Sequence, residues 1–493
     1  MTRTSSRVSQ CSKVKRVFQD GPQDPLEKLR EFLDTLPMKD KIGPKAFAEF
    51  ERELHERVMQ LERDVVASEM VKLDVDDDTV IIAGKVHRRV LRQSQTFMTA
   101  AGEVSVWRTL YKDRGDDEGR CVSPMELTIG VVGGFWTPRA AQQALWVVTQ
   151  MTSKKAEELF ARVGNMDPSK SSIDRLPKLV SESWESDRAH LEKALRAGLQ
   201  VPEGAVSIAV SLDGALAPMA DDVTARRVDA AATGAPAGKR PVGYREVGCA
   251  TVSFCDEKGD LLASVKMARA PEPKKVALKR MLVGEVETVL RACPQLKLIK
   301  IADGCADNWD FLSSHFTGGA EALDFFHASE HLHEAIAAAY GDGTRETQFR
   351  YETLRDALRD EDAGVDKVIR ALKYLAQKYP RRDKIRQSLS YFRKHRARMQ
   401  YASLKAQGFM IGSGVVEAAC KTLVTQRLKN SGMRWSAGGA QAILTPRGWD
   451  QSERFDQAWA LIAATFHADI TVLANVVAFK PPPPQRSRRN TSR

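Results

Sequence analysis

Val206-Ser207-Ile208-Ala209-Val210-Ser211-Leu212-Asp213-Gly214 is a short apolar run that ends on a carboxylate. Its Val, Ile and Leu positions alternate with small residues, which predicts a buried β-strand. An unpaired charge inside such a strand is costly, because an ionised group in low dielectric loses its hydration. The Asp is therefore expected where the strand opens, either capping a turn or holding a metal. A second copy of the pattern favours the metal. Leu296-Lys297-Leu298-Ile299-Lys300-Ile301-Ala302-Asp303-Gly304 has the same form of strand, Asp and Gly. Two strands that end alike predict two carboxylates at one edge of one sheet.

The chain around these strands has 493 residues, room for about two to four domains. Its hydrophobic content of 43% is that of a soluble globular protein. It has no apolar run of about 20 residues, so no membrane span is expected. The N-terminus lacks the apolar segment of a secretory signal. Seven cysteines are scattered without a C-x-x-C pair, which argues against a zinc knuckle or a disulfide framework. A reducing cytoplasm is the expected compartment. The net charge of +11 favours polyanionic partners, nucleic acid among them.

Residues 1–25 are polar, and Lys13, Lys15 and Arg16 form a solvated basic tail or a phosphate contact. From Pro44 to about Asp74 the apolar residues Phe47, Phe50, Leu54, Val58, Leu61 and Val65 recur at helical spacing. That stripe suits a coiled coil or packing on the same chain. Thr96–Thr99 and Val104–Leu110 predict a hairpin around a glycine turn. Helices are expected at 139–151, 154–163 and 171–185. The last follows Ser169-Lys170-Ser171-Ser172-Ile173-Asp174-Arg175, so the three read either as a helix-turn-helix or as a plain packing element. In the first reading Lys170, Ser172 and Arg175 face DNA.

Residues 204–330 alternate strand and helix. Strands are expected at 246–254 and 261–267, a helix at 274–292, a short helix at 307–313 and a brief strand at 322–326. Antiparallel strands first, then helix-linked ones, make a mixed sheet in an α/β fold. The Ala-rich stretch 221–241 reads as a loop. Helices follow at 328–339, 345–360, 364–379 and 381–406. The tail from Pro481 is extended and basic.

Two neighbouring aspartates repel unless a cation neutralises them, and Mg²⁺ is the natural hard, oxygen-seeking partner, with Mn²⁺ an alternative. A pair of such ions activates the attacking oxygen and stabilises the leaving one in phosphoryl transfer. That chemistry calls for a third carboxylate. Glu417, in Gly412-Ser413-Gly414-Val415-Val416-Glu417, lies in the first turn of a helix after a glycine-bounded break. It is either that ligand or a surface residue paired with Lys421. Lys421, Arg427, Lys429, Arg434 and Trp435 follow it, a company suited to a phosphodiester.

Asp213 after its strand, Ile-Ala-Asp-Gly-Cys-Ala-Asp-Asn-Trp-Asp-Phe-Leu at 301–312, Asp-Phe-Phe-His-Ala-Ser-Glu-His-Leu at 324–332 and Gly-Ser-Gly-Val-Val-Glu-Ala-Ala-Cys-Lys at 412–421 together resemble an insertion-sequence transposase. The family is ISKra, a bacterial relative of the Mutator-like elements. Gly-Phe-Trp-Thr-Pro-Arg-Ala-Ala at 134–141 and Ser-Lys-Ser-Ser-Ile-Asp-Arg-Leu at 169–176 extend the resemblance over roughly 85–450. It implies an RNase H-like catalytic core with an Asp-Asp-Glu triad at Asp213, Asp303 and Glu417, each a ligand of two metal ions. It implies as well that the helical stretch is an insertion between the second and third carboxylates. Asp324 and His327 match an Asp-x-x-His segment whose partner, be it metal, DNA or each other, is left open.

The expected domains are a tail and long helix at 1–90 and a hairpin with a three-helix DNA-binding region at 91–200. The core occupies 201–330 and 408–450, the helical insertion 331–407, and a last helix and tail 451–493. The implied function is a DNA transposase, a polynucleotidyl transferase that cleaves element ends and joins the freed 3′-hydroxyl to target DNA. Double-stranded DNA is its partner, a homo-oligomer its working form and the bacterial cytoplasm, at the nucleoid, its place. A nuclease or resolvase without strand transfer, or a non-catalytic DNA-binding protein, are the alternatives.

Overall fold

The computed structural model describes residues 25–34, 43–115, 119–220, 242–430 and 432–472. The basic N-terminal tail with Lys13, Lys15 and Arg16, the 221–241 loop and the C-terminal tail lie outside the described residues. The chain divides into two compact units, one of residues 1–140, 160–167 and 467–493, the other of 141–159 and 168–466.

In the first unit, α1 (Pro25–Asp34), the 29-residue α2 (Pro44–Lys72) and the short α3 (Pro124–Ile129) accompany a four-stranded sheet. Proline at the first helical position starts α2, where a missing N–H costs nothing. The sheet holds β1 (Thr79–Ile82), β2 (Lys85–Thr99) and β3 (Gly102–Asp113), all paired antiparallel, and a last short strand at Ile470–Val472 pairs with β1. Met70, Phe97, Val104, Val106 and Met125 form its core. The apolar stripe of α2 is only partly covered, with Phe47, Val58 and Val65 exposed. The expected hairpin is present but longer. The strand segment before Thr96 is mostly exposed, so no burial alternation marks it in the sequence.

The second unit is a mixed sheet wrapped in helices. Ahead of the sheet in the chain come α4 (Pro138–Gln150), α5 (Ser153–Val163), α6 (Lys170–Ser186) and α7 (Arg188–Ala197). The sheet contains β4 (Ser207–Ala220), β5 (Val242–Cys255), β6 (Leu261–Arg269), β7 (Lys297–Ala302) and β8 (Ala320–Leu323), in the order β6-β5-β4-β7-β8. β5 runs antiparallel to β4 and β6, and β4, β7 and β8 run parallel. Parallel neighbours need crossovers, supplied by α8 (Val276–Ala292) and α9 (Ala306–His315). Ile208, Val210 and Leu212 enter a large core on one face, and Ala209 enters a second core on the other with Ile299, Ile301 and Ala322. Both faces are covered, which explains the near-continuous apolar run.

β4 is longer than expected and does not end at Asp213. What ends there is its pairing with β7, whose last partners are Ser211 and Ile301. Beyond that point β4 continues with β5 alone, leaving an opening in the sheet.

After β8 come α10 (Phe325–Tyr340), α11 (Arg345–Asp360), α12 (Gly364–Lys378) and α13 (Asp383–His395). Val368, Leu372, Leu375, Ile385 and Phe392 of these helices share one continuous core with the sheet. The single helix expected over 381–406 is broken by a turn at Arg396–Arg398, after which α14 (Tyr401–Ala406) begins. Four more short and long helices close the unit: α15 (Gly414–Ala419), α16 (Gln426–Leu428), α17 (Ala437–Gln451) and α18 (Phe455–Ala464). No helix among the described residues is long and apolar enough to cross a membrane.

Candidate active site

The β4–β7 register, carried two residues past Ser211 and Ile301, sets Asp213 beside Asp303. The β7–β8 register, carried one residue past Ala302 and Leu323, sets Asp303 beside Asp324. Side chains alternate along a strand, so all three aspartates share the parity of Ala209, Ile299, Ile301 and Ala322. Asp303 and Asp324 thus follow β7 and β8, level with Asp213 inside β4 at the point where its pairing with β7 ends.

Asp303 is fixed by its own loop. Its Oδ1 accepts from the Cys305 N–H at 3.1 Å and from Asn308 Nδ2 at 3.2 Å, and its carbonyl accepts from Trp309 Nε1 at 2.6 Å. Asn308 is buried and also reaches the Leu212 carbonyl at 3.4 Å, which ties this loop to β4 one residue before Asp213. Burial pushes the Asp213 carboxyl up, and the Asp303 charge adds to it against the Gly214 N–H. The Cys420 thiol lies 3.8 Å from Asp213 Oδ2, and its own pKa is raised by the neighbouring Cys249 and by burial.

Asp324 has no solvent exposure and caps α10. It accepts from the N–H groups of Phe326 (3.3 Å), His327 (3.1 Å) and Ser413 (2.8 Å), and His327 Nδ1 lies 2.5 Å from its Oδ2. Burial works to raise this carboxyl, but the His327 ring and the backbone N–H groups of Ser413 and His327 outweigh it, and the net shift is downward. The same contact lifts His327 to about 9, against burial.

The chain returns to this edge through residues 409–413. Phe409, Met410 and Ile411 pack on the core face of Ala209, and Phe325 N–H donates to the Ile411 carbonyl at 3.2 Å. Gly412 passes so close to Phe326 that a Cβ would stand 2.7 Å from the ring, so only glycine fits without movement. One turn later Glu417 accepts from Ser413 Oγ at 3.0 Å and lies 3.8 Å from His327 Nδ1. Burial raises its pKa, the Ser413 hydroxyl opposes, and the Asp324 charge adds. From Cys420 to Thr425 the helix widens to π geometry, a form that recurs at functional sites.

The ligand atoms of Asp324, His327 and Glu417 all lie within 4.8 Å of one another, a spacing that fits one cation. Asp213, Asp303 and Glu417 do not converge within that distance among the described residues. Asp213 and Glu417 are both held above their ordinary range, chiefly by burial and further by the neighbouring Asp303 and Asp324 charges. Two carboxylates suit a divalent ion, and His327, held protonated by Asp324, would join them as a ligand only on losing its proton, a donor set that favours Mn²⁺ over the all-oxygen preference of Mg²⁺.

The expected DNA contacts divide. Lys421, Lys429 and Arg434 are exposed. Arg427 is buried, donates to the Val148 carbonyl at 3.3 and 3.4 Å, and is lowered to about 10 by burial and by Arg447. Trp435 donates to the Leu428 carbonyl at 3.0 Å and packs against a core cluster, with Arg427 over its ring. Arg427 is thus committed to the interior, and Trp435 is half-buried. Lys170 and Arg175 are exposed at the start of α6, with Lys170 3.3 Å from Asp174 and Arg175 bonded to the Ser171 carbonyl. Ser172 N–H is capped by Ser169, and the helix starts at Lys170, one residue earlier than expected. The opposite face of α6 buries Ile173, Leu176, Val180 and Trp184, the last against Trp449 of α17.

No protein-family model matches the chain, and no curated protein matches it. Among solved structures it is similar to the Drosophila P element transposase strand transfer complex. That likeness spans 66% of this chain and 83% of the other, at 10% identity and a TM-score of 0.25. Likeness at that level establishes no shared fold.

Sequence reasoning missed two residues of this edge. Asn308 lies within the 301–312 motif, but an Asn in a short helix gives no sign that it will orient a carboxylate. Lys275 sits with Lys274 in the left-handed region, φ 53° for both, and its amine lies 2.8 Å from Glu246 on the strand beside Asp213. Nothing in Pro-Lys-Lys signals that conformation, which costs about 1–2 kcal/mol per residue.

Proposed function

We propose that the chain is a metal-dependent DNA transposase built on an RNase H-like core, with Asp213, Asp303 and Glu417 as its catalytic carboxylates. The observation that carries the reading is the row of carboxylates in register across β4, β7 and β8, with the Glu417 helix returned over the same edge. The mixed sheet, with one strand opposed to its neighbours and helices between the later ones, supports the core. A divalent ion held there, Mg²⁺ or Mn²⁺, would neutralise the carboxylates and stabilise the charge that develops on attacking and leaving oxygens. The residues of the chain do the positioning. Asn308 and the Cys305 N–H orient the Asp303 carboxylate. Asp324 holds Ser413 and His327, and those two hold Glu417, whose side chain is 42% exposed. Asp324 is read as an organiser of the site, with His327 as a second ligand or a counter-charge. Lys421, Lys429 and Arg434 are offered to phosphates, and Lys170, Ser172 and Arg175 to element DNA. Bringing two element ends together calls for more than one copy of the chain.

The test is a purified-protein assay with labelled element ends and a target plasmid. Asp213→Asn, Asp303→Asn or Glu417→Gln is expected to abolish cleavage and joining while duplex binding persists. Undiminished cleavage by any of them removes that residue from the triad. Cleavage that never proceeds to joining would identify a nuclease instead.

A further inference from the structure

We propose that the outer face of α12 and α13 is a track for the phosphate backbone of duplex DNA, an inference that rests on the DNA-processing reading above. Residues 364–400 contain twelve Lys or Arg against two Asp, a net +10 out of the whole chain's +11. Helical phase turns most of these charges outward, and Lys367, Lys384, Arg386, Arg396 and Arg398 are paired with Glu361, Glu334, Asp383, Asp366 and Glu321. In α12 the buried positions are Val365, Val368, Leu372 and Leu375, and Arg370, Lys373 and Lys378 are exposed. In α13 the buried positions are Ile385, Ser388, Leu389 and Phe392, and Arg386, Arg393 and Lys394 are exposed. Arg381 and Arg382 occupy the link between them and are exposed.

A face that only keeps the protein soluble has no need of one sign. The adjoining α11 has such a face, with four cations and four anions, and its Arg350, Arg355 and Arg359 pair with Glu346, Asp356 and Asp360. Lys373, Arg381, Arg382, Arg393 and Lys394 make no ion pair among the described residues. Gathered like charges repel one another, and a polyanion relieves that repulsion while releasing its own counterions. The inner side of α13 indicates where the polyanion leads. Tyr391 packs on Gly304, where a Cβ would stand 2.7 Å from the ring, and Gly304 follows Asp303. α13 therefore packs directly on the loop that carries Asp303. The exposed Tyr374, with Lys378 6.0 Å above its ring, adds an aromatic surface of the kind that borders nucleic-acid tracks.

The experiment measures binding of the full chain to a random-sequence duplex, in chelator, between about 50 and 200 mM salt. The variant carries Lys373→Gln, Arg381→Gln, Arg382→Gln, Arg393→Gln and Lys394→Gln, and the control carries Arg355→Gln and Arg359→Gln. The slope of log K against log salt should shrink by about 0.9 for each phosphate that is no longer neutralised, with affinity down at least about tenfold, and the control should match the wild type. Wild-type slope and affinity in the five-site variant, with its thermal transition intact, overturn the track. So does an equal weakening of binding to poly-glutamate, which would mark a face for any polyanion. Because no metal is present, the result is independent of catalysis. A reduced slope in a protein that never cleaves DNA would keep the track and remove the transposase reading. An unchanged slope in a protein that cleaves and joins would do the reverse.

Discussion

Asp324 keeps a charge in a position without solvent contact, and its hydrogen bonds make that tolerable. Hydrogen bonds to a charged group are worth about 1.5–3 kcal/mol each, and a donor left unmatched in the interior costs about 1–3 kcal/mol. The same arrangement has a pH signature. His327 is raised from 6.5 to about 9 by Asp324, so folding favours its charged form. The stability this contributes is fully present below about 6.5 and is lost as pH rises through about 9. Asp324→Asn should return the His327 titration, followed by NMR in metal-free protein, toward its ordinary range. The stability deficit of that variant in urea should be larger below about pH 6.5 than above about pH 9. A His327 titration unmoved by the substitution would mean the ring owes its basicity to something else. Arg427 illustrates the opposite outcome, a cation that looks exposed in sequence and is consumed by a backbone carbonyl in the interior.

The joint between α8 and the start of α18 is held by Glu285 and Arg454, which form a two-pronged ion pair at 3.0 and 3.2 Å with both side chains under a tenth exposed. Removing one partner strands the other charge in low dielectric. Arg454→Ala should therefore cost about 3–5 kcal/mol in urea unfolding, and Arg454→Leu with Glu285→Leu should cost less than that single change. A double variant no better than the single one would mean the joint depends on shape rather than charge. At this scale much of the chain was legible. Long periodic segments announced α2, α10, α11 and α12 to within a few residues, and the two Asp-Gly stretches announced β4 and β7 as strands of one sheet. Other parts were silent for physical reasons. The brief strand expected at 322–326 ends at Leu323 instead, because Asp324 caps the helix that starts at Phe325, and the capping role of Asp324 was not foreseen. β4 runs on past Asp213 because its second partner, β5, outlasts its first, a fact of pairing rather than composition. Trp435 follows a basic run and yet turns inward, because its indole N–H finds the Leu428 carbonyl.

For the whole molecule, a metal that binds the folded chain and not the unfolded one must raise its melting temperature. At a hundredfold excess over Kd the gain is about 2.7 kcal/mol. Thermal transitions with Mn²⁺ or Mg²⁺ against chelator should show that gain in the wild type and lose most of it in Glu417→Gln. Identical transitions with and without metal would leave the acidic edge without a tightly held ion. The electrostatics of the chain follow from one feature of its bundle. With +10 on residues 364–400, everything else sums to about neutrality, including the acidic edge. The isoelectric point therefore describes two helices and their link far more than it describes the protein. Retention on a cation exchanger becomes a gauge of that single face. Once a polyanion covers it, what remains for solvent and for a second copy to meet is a body whose many charges of both signs nearly balance.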